Sequence, residues 1–492
     1  MVLLWGIRRT PPRLKNPLRL LVEGSAVSDI STLTPDDFSI ARNKTANIPS
    51  PGGEPIIGVL DTPFDDRVYF ADWVEACDLI PSEITIDASE KRHGTAVSSI
   101  IVDGPSIVPE LDDGCGRFRV RHFGVATGRR SSAFSFMRNV RDIVEQNRDI
   151  KVWNISQGSV REIARNFMSP EGATLDELQS RFDDIVFVVA GTNQTKAGQE
   201  KIGAPADSIN SLVVNATSFC GKTASYARQG PVLDFFKKPD VCAIGGDSDK
   251  RMPVCTATGQ YLMAGTSFAA PWIARKMAYL MQVMGFTREV AKALIIDSAA
   301  GWDYRASPRR GYGRVPVRIE DVVQSCDDEI KFTLTGTSEA YATYNYGIPV
   351  PIAKKKHPYI ARVTLCYFPQ CDRRQGVDYT SAEMDLHFGR INDKGTIQPL
   401  DNNRQGEEGF MTTEEVARKN YRKWDNVKHI GEEPKENGRE RKAYSTGMWG
   451  IKIRATRRGD GPDRKARALR FGVVVTRSEE HTSELQSRSA IS

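Results

Sequence analysis

Short apolar, β-branched runs alternate with helix-like segments along the first three-fifths of this chain, and that alternation restricts its fold more than any other feature. Ile56-Ile57-Gly58-Val59-Leu60, Val152–Ile155, Ile185–Val189 and Ser211–Ala216 have the length and composition of buried strands. Between and after them come the helical stripe Phe134, Phe136, Met137, Val140, Ile143 and Val144, the segment Leu175 to Phe182, and the apolar runs Met277 to Met284 and Val290 to Ile296. Strands alternating with helices predict an α/β domain with a mostly parallel sheet and helices on both faces. The apolar stripes are assigned to its core.

After about residue 322 the pattern changes. Ile330–Leu334, Ala361–Leu365, Trp449–Ile453 and Leu469–Val475 alternate or run apolar as strands do, with no helices of similar strength between them, which predicts an antiparallel sandwich. Residues 401–445 carry Arg418, Lys419, Arg422, Lys423, Arg439, Arg441 and Lys442 among interleaved acids. They read as a solvated loop–helix insertion, with a docking surface for a partner as the alternative. The expected division is an N-terminal extension or linker over 1–51, its start left open to truncation, the α/β domain over 52–321 and the β-sandwich over 322–476. Residues 477–492 are polar directly after a buried-looking strand, read as a translated sequencing adapter, and are excluded from fold reasoning.

The 492 residues are 40% hydrophobic, enough for more than one core, and the net charge is +6 from 68 basic and 62 acidic residues. So small an excess gives no reason to expect nucleic acid. No apolar run approaches the roughly 20 residues of a membrane span, and Arg8, Arg9 and Arg13 interrupt any secretory signal. The expectation is a cytoplasmic protein without a membrane partner. Cys77, Cys115, Cys220, Cys242, Cys255, Cys326, Cys366 and Cys371 show no C-x-x-C pair and are expected as buried free thiols.

Gly265-Thr266-Ser267-Phe268-Ala269-Ala270-Pro271 opens a helix-like run. Small residues on both sides of Ser267 can hold its hydroxyl proud of the fold, as a nucleophile requires. The plainer alternative is a helix start capped by Thr266 or Ser267. A serine nucleophile needs an imidazole base and a carboxylate to orient it. His93, heading the small-residue run Gly94-Thr95-Ala96-Val97, is the candidate base. His122, His357, His387, His429 and His481 are read as solvated or hydrogen-bonded surface residues, His122 least securely because it lies near a strand. Asp61 ends the strand Ile56–Leu60, where open parallel sheets place their sites, although a strand-ending Asp before Thr62-Pro63 also suits a turn. Asp65 and Asp66 are read as loop surface.

The order Asp61, His93, Ser267, with Asp61-Thr62, His93-Gly94-Thr95 and the heptapeptide, resembles the three signature motifs of the subtilases, the subtilisin-like serine peptidases. The resemblance spans about residues 52 to 320. It implies a subtilisin-like three-layer domain with a mostly parallel sheet, here followed by a jelly-roll-like β-sandwich. It also implies a serine endopeptidase acting on polypeptide through an acyl-enzyme. Ser156, Gln157 and Gly158 would line the edge that binds substrate backbone, with Gly203, in Gly203-Ala204-Pro205-Ala206, on the opposite wall. Asn193 is the candidate oxyanion donor with the Ser267 N–H. The family has Asn directly after Ala-Gly, whereas Thr192 intervenes here, so either the turn carries an extra residue or the donor role has shifted. Pro63 stands where glycine is commoner in the family. No cofactor is expected; calcium binds many subtilases, but no D-x-D-x-D-G loop indicates it here. A transamidating enzyme and an idle binding protein are the other functional classes. The missing signal and pro-domain suggest restraint by a partner protein such as an ATPase.

Overall fold

Seven parallel strands build the centre of the first domain: β1 (Ile56–Asp61), β2 (Val74–Asp78), β3 (Arg119–Gly124), β4 (Val152–Ile155), β5 (Val186–Ala190), β6 (Leu212–Thr217) and β7 (Val241–Ile244). They lie in the order β2-β3-β1-β4-β5-β6-β7. The computed structural model describes residues 39–41, 48–127, 132–302, 307–325, 329–338, 343–349, 356–357, 359–400, 412–432, 441–442, 444, 446–458 and 468–479. Leu60 of β1 lies beside Phe123 of β3 on one flank and Ile155 of β4 on the other. The chain fills one flank of β1 with β2 and β3, then crosses to begin the other with β4. The carboxyl ends of β1 and β4 therefore part at a topological switch point, the place where open α/β sheets form crevices.

Helices α1 (Arg92–Ile107), α4 (Ala270–Ala278) and α5 (Arg288–Ala300) pack on the face that carries Ile57 and Val59. α2 (Ala133–Gln146) and α3 (Pro170–Arg181) cover the face that carries Leu60, Trp153 and Ile155. The alternating exposure of one strand to two apolar layers follows from its period of two. Phe136, Val140, Ile143 and Val144 pack as the α2 stripe requires, but Phe134 is 59% exposed at the first turn. A hairpin of β8 (Met252–Thr256) and β9 (Gly259–Met263) leads into the Ser267 segment, and the backbone of Ser39–Ala41 adds a third strand to β9.

Two four-stranded antiparallel sheets follow, from β10 (Glu329–Ser338), β11 (Thr343–Pro349), β12 (Tyr359–Tyr367), β13 (Ala382–Ile391), β14 (Ile397–Pro399), β15 (Val427–Gly431), β16 (Met448–Arg457) and β17 (Leu469–Glu479). Their orders are β10-β17-β12-β15 and β11-β16-β13-β14. Val363, Leu365, Phe471 and Val473 of one sheet meet Leu386, Phe388, Trp449 and Ile451 of the other in a shared core. The stretch 401–445 holds more than a solvated insertion: α6 (Glu414–Tyr421) is followed by β15, whose backbone pairs with β12. β17 runs past the expected boundary at 476 to Glu479, with Ser478 opposite Glu329; the adapter-like residues 480–492 lie outside the described residues. Among the described cysteines all are free thiols; Cys115, Cys242 and Cys366 are buried as expected, but Cys77 and Cys220 are exposed.

The sandwich seats its β12 and β17 on α5. Asp297 of α5 has no solvent exposure and accepts from Arg362 Nε and Nη2, both at 3.1 Å, from Thr364 Oγ1 at 3.1 Å and from Thr476 Oγ1 at 2.8 Å. Arg288 and Lys292 of the same helix lie near the Phe368 ring, at 4.0 and 5.3 Å from its centroid. Tyr379 Oη donates to the buried Asp176 at 2.6 Å.

A buried carboxyl on α3 makes stability depend on pH. Burial pushes Glu171 up from 4.5 to about 7. The folded state then holds a proton that the unfolded chain releases between those values, so stability falls as pH rises through that window. Glu171→Gln is expected to raise the unfolding free energy by about 1–3 kcal/mol at pH 8 and by little at pH 4.5, measured by denaturant titration at the two pH values.

Candidate active site

Asp61 closes β1 at the switch point with no solvent exposure. A carboxylate without water must be met by donors, and its Oδ1 accepts from His93 Nδ1 and from the Thr62 N–H, both at 2.7 Å. Because the carboxylate accepts, the proton lies on Nδ1, and in the neutral ring Nε2 is the basic nitrogen. His93 occupies the first turn of α1, and its ring stands 5.6 Å from that of Phe268.

The start of α1 is held against the end of β1 at unusually short range. Gly94 N–H donates to Thr62 Oγ1 at 2.9 Å, and a Cβ on Gly94 would stand 2.2 Å from the Thr62 carbonyl oxygen. Only glycine allows that approach. Asp65, read from the sequence as loop surface, is buried: its N–H donates to Thr95 Oγ1 at 2.9 Å, a further tie to α1.

Ser267 lies in the single turn Thr266–Phe268 that precedes α4, with Pro271 near the helix start where a missing N–H costs nothing. Its hydroxyl donates to the Ser156 carbonyl at 2.9 Å, while Ser156 Oγ donates to the Ser267 carbonyl at 3.0 Å. Asn154 Nδ2 donates to Ser156 Oγ at 2.9 Å. This reciprocal pairing joins the carboxyl end of β4 to the serine turn.

The turn after β5 carries its extra residue as Thr192, in the left-handed region at φ 66°. Thr192 Oγ1 accepts from the Gly203 N–H at 3.0 Å and from Arg228 Nη1 at 3.3 Å, and its methyl lies 2.4 Å from where a Gly158 Cβ would be. Thr192 thus binds together the two walls read from the sequence, Gly158 and Gly203. Asn193 follows it, and its Oδ1 accepts from Thr266 N at 3.0 Å and Thr266 Oγ1 at 2.9 Å. With the amide oxygen occupied by two donors, the amide nitrogen is the end turned away from Thr266. Gln157 is buried on the same edge, and its Nε2 has no hydrogen-bond partner among the described residues.

The geometry thus gathers Asp61, His93, Ser267, Asn193, Ser156, Gln157, Gly158 and Gly203 around one switch point. The chain matches the model of the Subtilase family over residues 52–318. The chain belongs to the subtilase family. Among solved structures, this subtilase is similar to the patellamide maturation protease PatA at 21% identity, covering 55% of this chain and 95% of that one, with a TM-score of 0.41. It is also similar to the epidermin leader peptide processing serine protease EpiP from Staphylococcus aureus, at 15% identity over 56% and 78% of the two chains, with a TM-score of 0.45. No curated protein sequence gives a significant match.

Several buried polar residues around this geometry carry no signature in the sequence. His122, read as a surface residue, is wholly buried behind Thr62, and burial pushes its imidazole below the ordinary histidine range. Arg275 and Lys276 lie just before the apolar run expected from Met277 and are buried too. Arg275 Nε and Nη2 donate to the two oxygens of Asp113 at 2.8 Å each, and Nη1 donates to the Ile101 carbonyl of α1 at 2.5 Å. Two adjacent cations in the helix-like run just after the serine were the available signal. Among the described residues no group of three or more His, Cys, Asp or Glu converges as a metal site, and no helix is long and apolar enough to cross a membrane.

Gly94→Ala forces its Cβ against the Thr62 carbonyl and is expected to cost about 1–3 kcal/mol of stability. Thermal unfolding measures the cost, and a crystal structure of the variant should show α1 displaced from Asp61.

Proposed function

We propose that this subtilase is a serine endopeptidase that cleaves polypeptides through an acyl-enzyme, with Ser267 as nucleophile, His93 as general base and Asp61 as the group that orients the imidazole. The observation that carries the reading is the buried Asp61–His93 pair at 2.7 Å beside the Ser267 turn. An extended substrate lies along the Ser156–Gly158 edge by main-chain hydrogen bonds, with Gly203 on the far wall. Ser267 Oγ exchanges its Ser156 acceptor for His93 Nε2, attacks the scissile carbonyl carbon and passes its proton to the imidazole. The oxyanion so formed takes hydrogen bonds from Asn193 Nδ2 and the Ser267 N–H. Collapse breaks the C–N bond, and the leaving amine carries off the proton from His93. Water then repeats the sequence on the ester and frees Ser267.

The test is labelling of the full chain with a fluorophosphonate, together with mass spectrometry of peptide products. Wild type is expected to be labelled on Ser267. Ser267→Ala abolishes labelling, and Ser267→Ala or His93→Ala lowers kcat by about 10⁶-fold. Absence of Ser267-dependent labelling in the folded wild type overturns the reading. Products carrying an added amine in place of a free carboxylate would assign transamidation. Asn193→Asp keeps an acceptor for Thr266 but has no N–H for the oxyanion. It is expected to lower kcat by about 10²–10³-fold with KM little changed.

A further inference from the structure

His122 stands in β3 in register with Val59 of β1, its ring closed off from solvent. Its Nε2 lies 2.6 Å from the Thr62 carbonyl oxygen and its Nδ1 3.0 Å from Ser98 Oγ. A carbonyl can only accept, so Nε2 carries the proton. Nδ1 is then the acceptor in the neutral ring, and the Ser98 hydroxyl donates to it. Burial, which disfavours the charged ring, agrees with a neutral imidazole.

Every polar group of Thr62 is engaged in the same small volume. The N–H donates to Asp61 Oδ1, the hydroxyl accepts from Gly94 N–H, and the carbonyl accepts from His122. Ser98 lies on α1, the helix that begins with His93. The contacts close on themselves, from Asp61 to His93, along α1 to Ser98, across to His122, on to Thr62 and back to Asp61. Pro63 gives this circuit its purpose. It supplies no backbone N–H with which the turn after Asp61 could anchor itself, and it confines Thr62 to an extended conformation without fixing where the carbonyl is held. His122 supplies a further anchor, on the Thr62 carbonyl, from the neighbouring strand.

We propose that His122 is a positioning residue, a neutral imidazole strut that fixes Thr62, and through it the Asp61 carboxylate, against the helix carrying His93. The proposal rests on the roles given above to Asp61, His93 and Ser267. A ring that merely filled space beside Phe64, 5.7 Å away, would be replaced by leucine at little cost to the site. A strut would not, because leucine leaves the Thr62 carbonyl and the Ser98 hydroxyl buried without their partner.

The test compares wild type with His122→Leu, His122→Gln and Ser98→Ala as full chains. The first readout is the second-order rate of fluorophosphonate labelling per folded molecule. The second is the far-downfield proton resonance of the His93 Nδ1–H in the Asp61 hydrogen bond, which needs no turnover. His122→Leu is expected to slow labelling about 10–100-fold, the scale of a misplaced catalytic group, and to broaden or abolish the resonance. His122→Gln, whose amide N–H can reach the Thr62 carbonyl, should recover most of both. Ser98→Ala cuts the circuit at its far side and should slow labelling several-fold even where the leucine variant fails to fold. Wild-type labelling rates and an unchanged resonance in folded His122→Leu and Ser98→Ala would overturn the strut. A wild type that is never labelled removes the catalytic reading instead, and the resonance then decides the strut alone.

Discussion

A carboxylate with no access to water stands at the centre of this fold. Asp61 ends the strand from which the sheet grows in both directions, and its charge must be met by protein donors because nothing else reaches it. Two donors reach its Oδ1, from the next residue along the chain and from the first turn of α1, while its buried Oδ2 has no hydrogen-bond partner among the described residues. The approach of α1 is therefore set by a charge, with apolar packing filling in behind. Gly94 is required because a charged group can draw the helix closer than a side chain would permit.

The same rule, that charge removed from water is answered by nearby polar groups, governs how the two domains meet. Arg288 and Lys292 satisfy their charges on carbonyls of their own domain, at Gln179, Phe182 and Ile185 and at Asn210 and Ser211, and lie over the Phe368 ring of the sandwich. The side-chain donors that meet Asp297 of α5 come from the sandwich, as Arg362, Thr364 and Thr476, so the second domain completes the polar satisfaction of the first. Taking Asp297 away would leave Arg362 without that carboxylate in a closed interface, which costs far more than the intact pair contributes to stability.

What the sequence made legible was whatever depends on local pattern. The strand runs ending near Asp61, Ile155 and Ala190, and the small residues around Ser267, are local signals, and each lies where its pattern indicated. The position of Asn193 was legible only as an alternative, because counting one extra residue does not say where it projects. The left-handed backbone of Thr192 turns that residue toward Gly203, which keeps Asn193 beside Thr266. His122 was misread because Arg119-Val120-Arg121-His122 looks like a strand with a polar face. Arg121 does face out, to Glu75 and Asp149, whereas His122 points inward to a carbonyl that belongs to another strand's turn. The strands β13 and β15 were missed for a related reason. Met384, Leu386 and Phe388 alternate through β13 with the polar Glu383, Asp385 and His387, and Glu383 is itself buried, paired with Lys428 of β15 at 2.8 Å. Periodicity reports polarity, and partners separated by many residues are invisible to it.

Arg275 carries this logic to the serine. Its guanidinium joins α4, which starts beneath Ser267, to Asp113 and to the Ile101 carbonyl of α1, the helix that starts at His93. A lysine ammonium could meet the charge of Asp113 but not both of its oxygens and a carbonyl of α1 in one plane; the planar fork does so in a single geometry. Replacing such a pair with well-packed apolar groups often leaves stability unchanged or higher, so its contribution is better sought in placement than in stability. Misplacing a reacting group by about 1 Å costs on the order of 10²-fold in rate. Apolar ridges between two helices can slip by amounts of that size as side chains repack. Arg275, held bidentately by Asp113 of the loop after α1 and donating to the Ile101 carbonyl of α1 itself, resists slipping, because a displaced guanidinium would lose buried hydrogen bonds. Ser267 stands just before one of these helices and His93 in the first turn of the other, and Arg275 ties the two helices together.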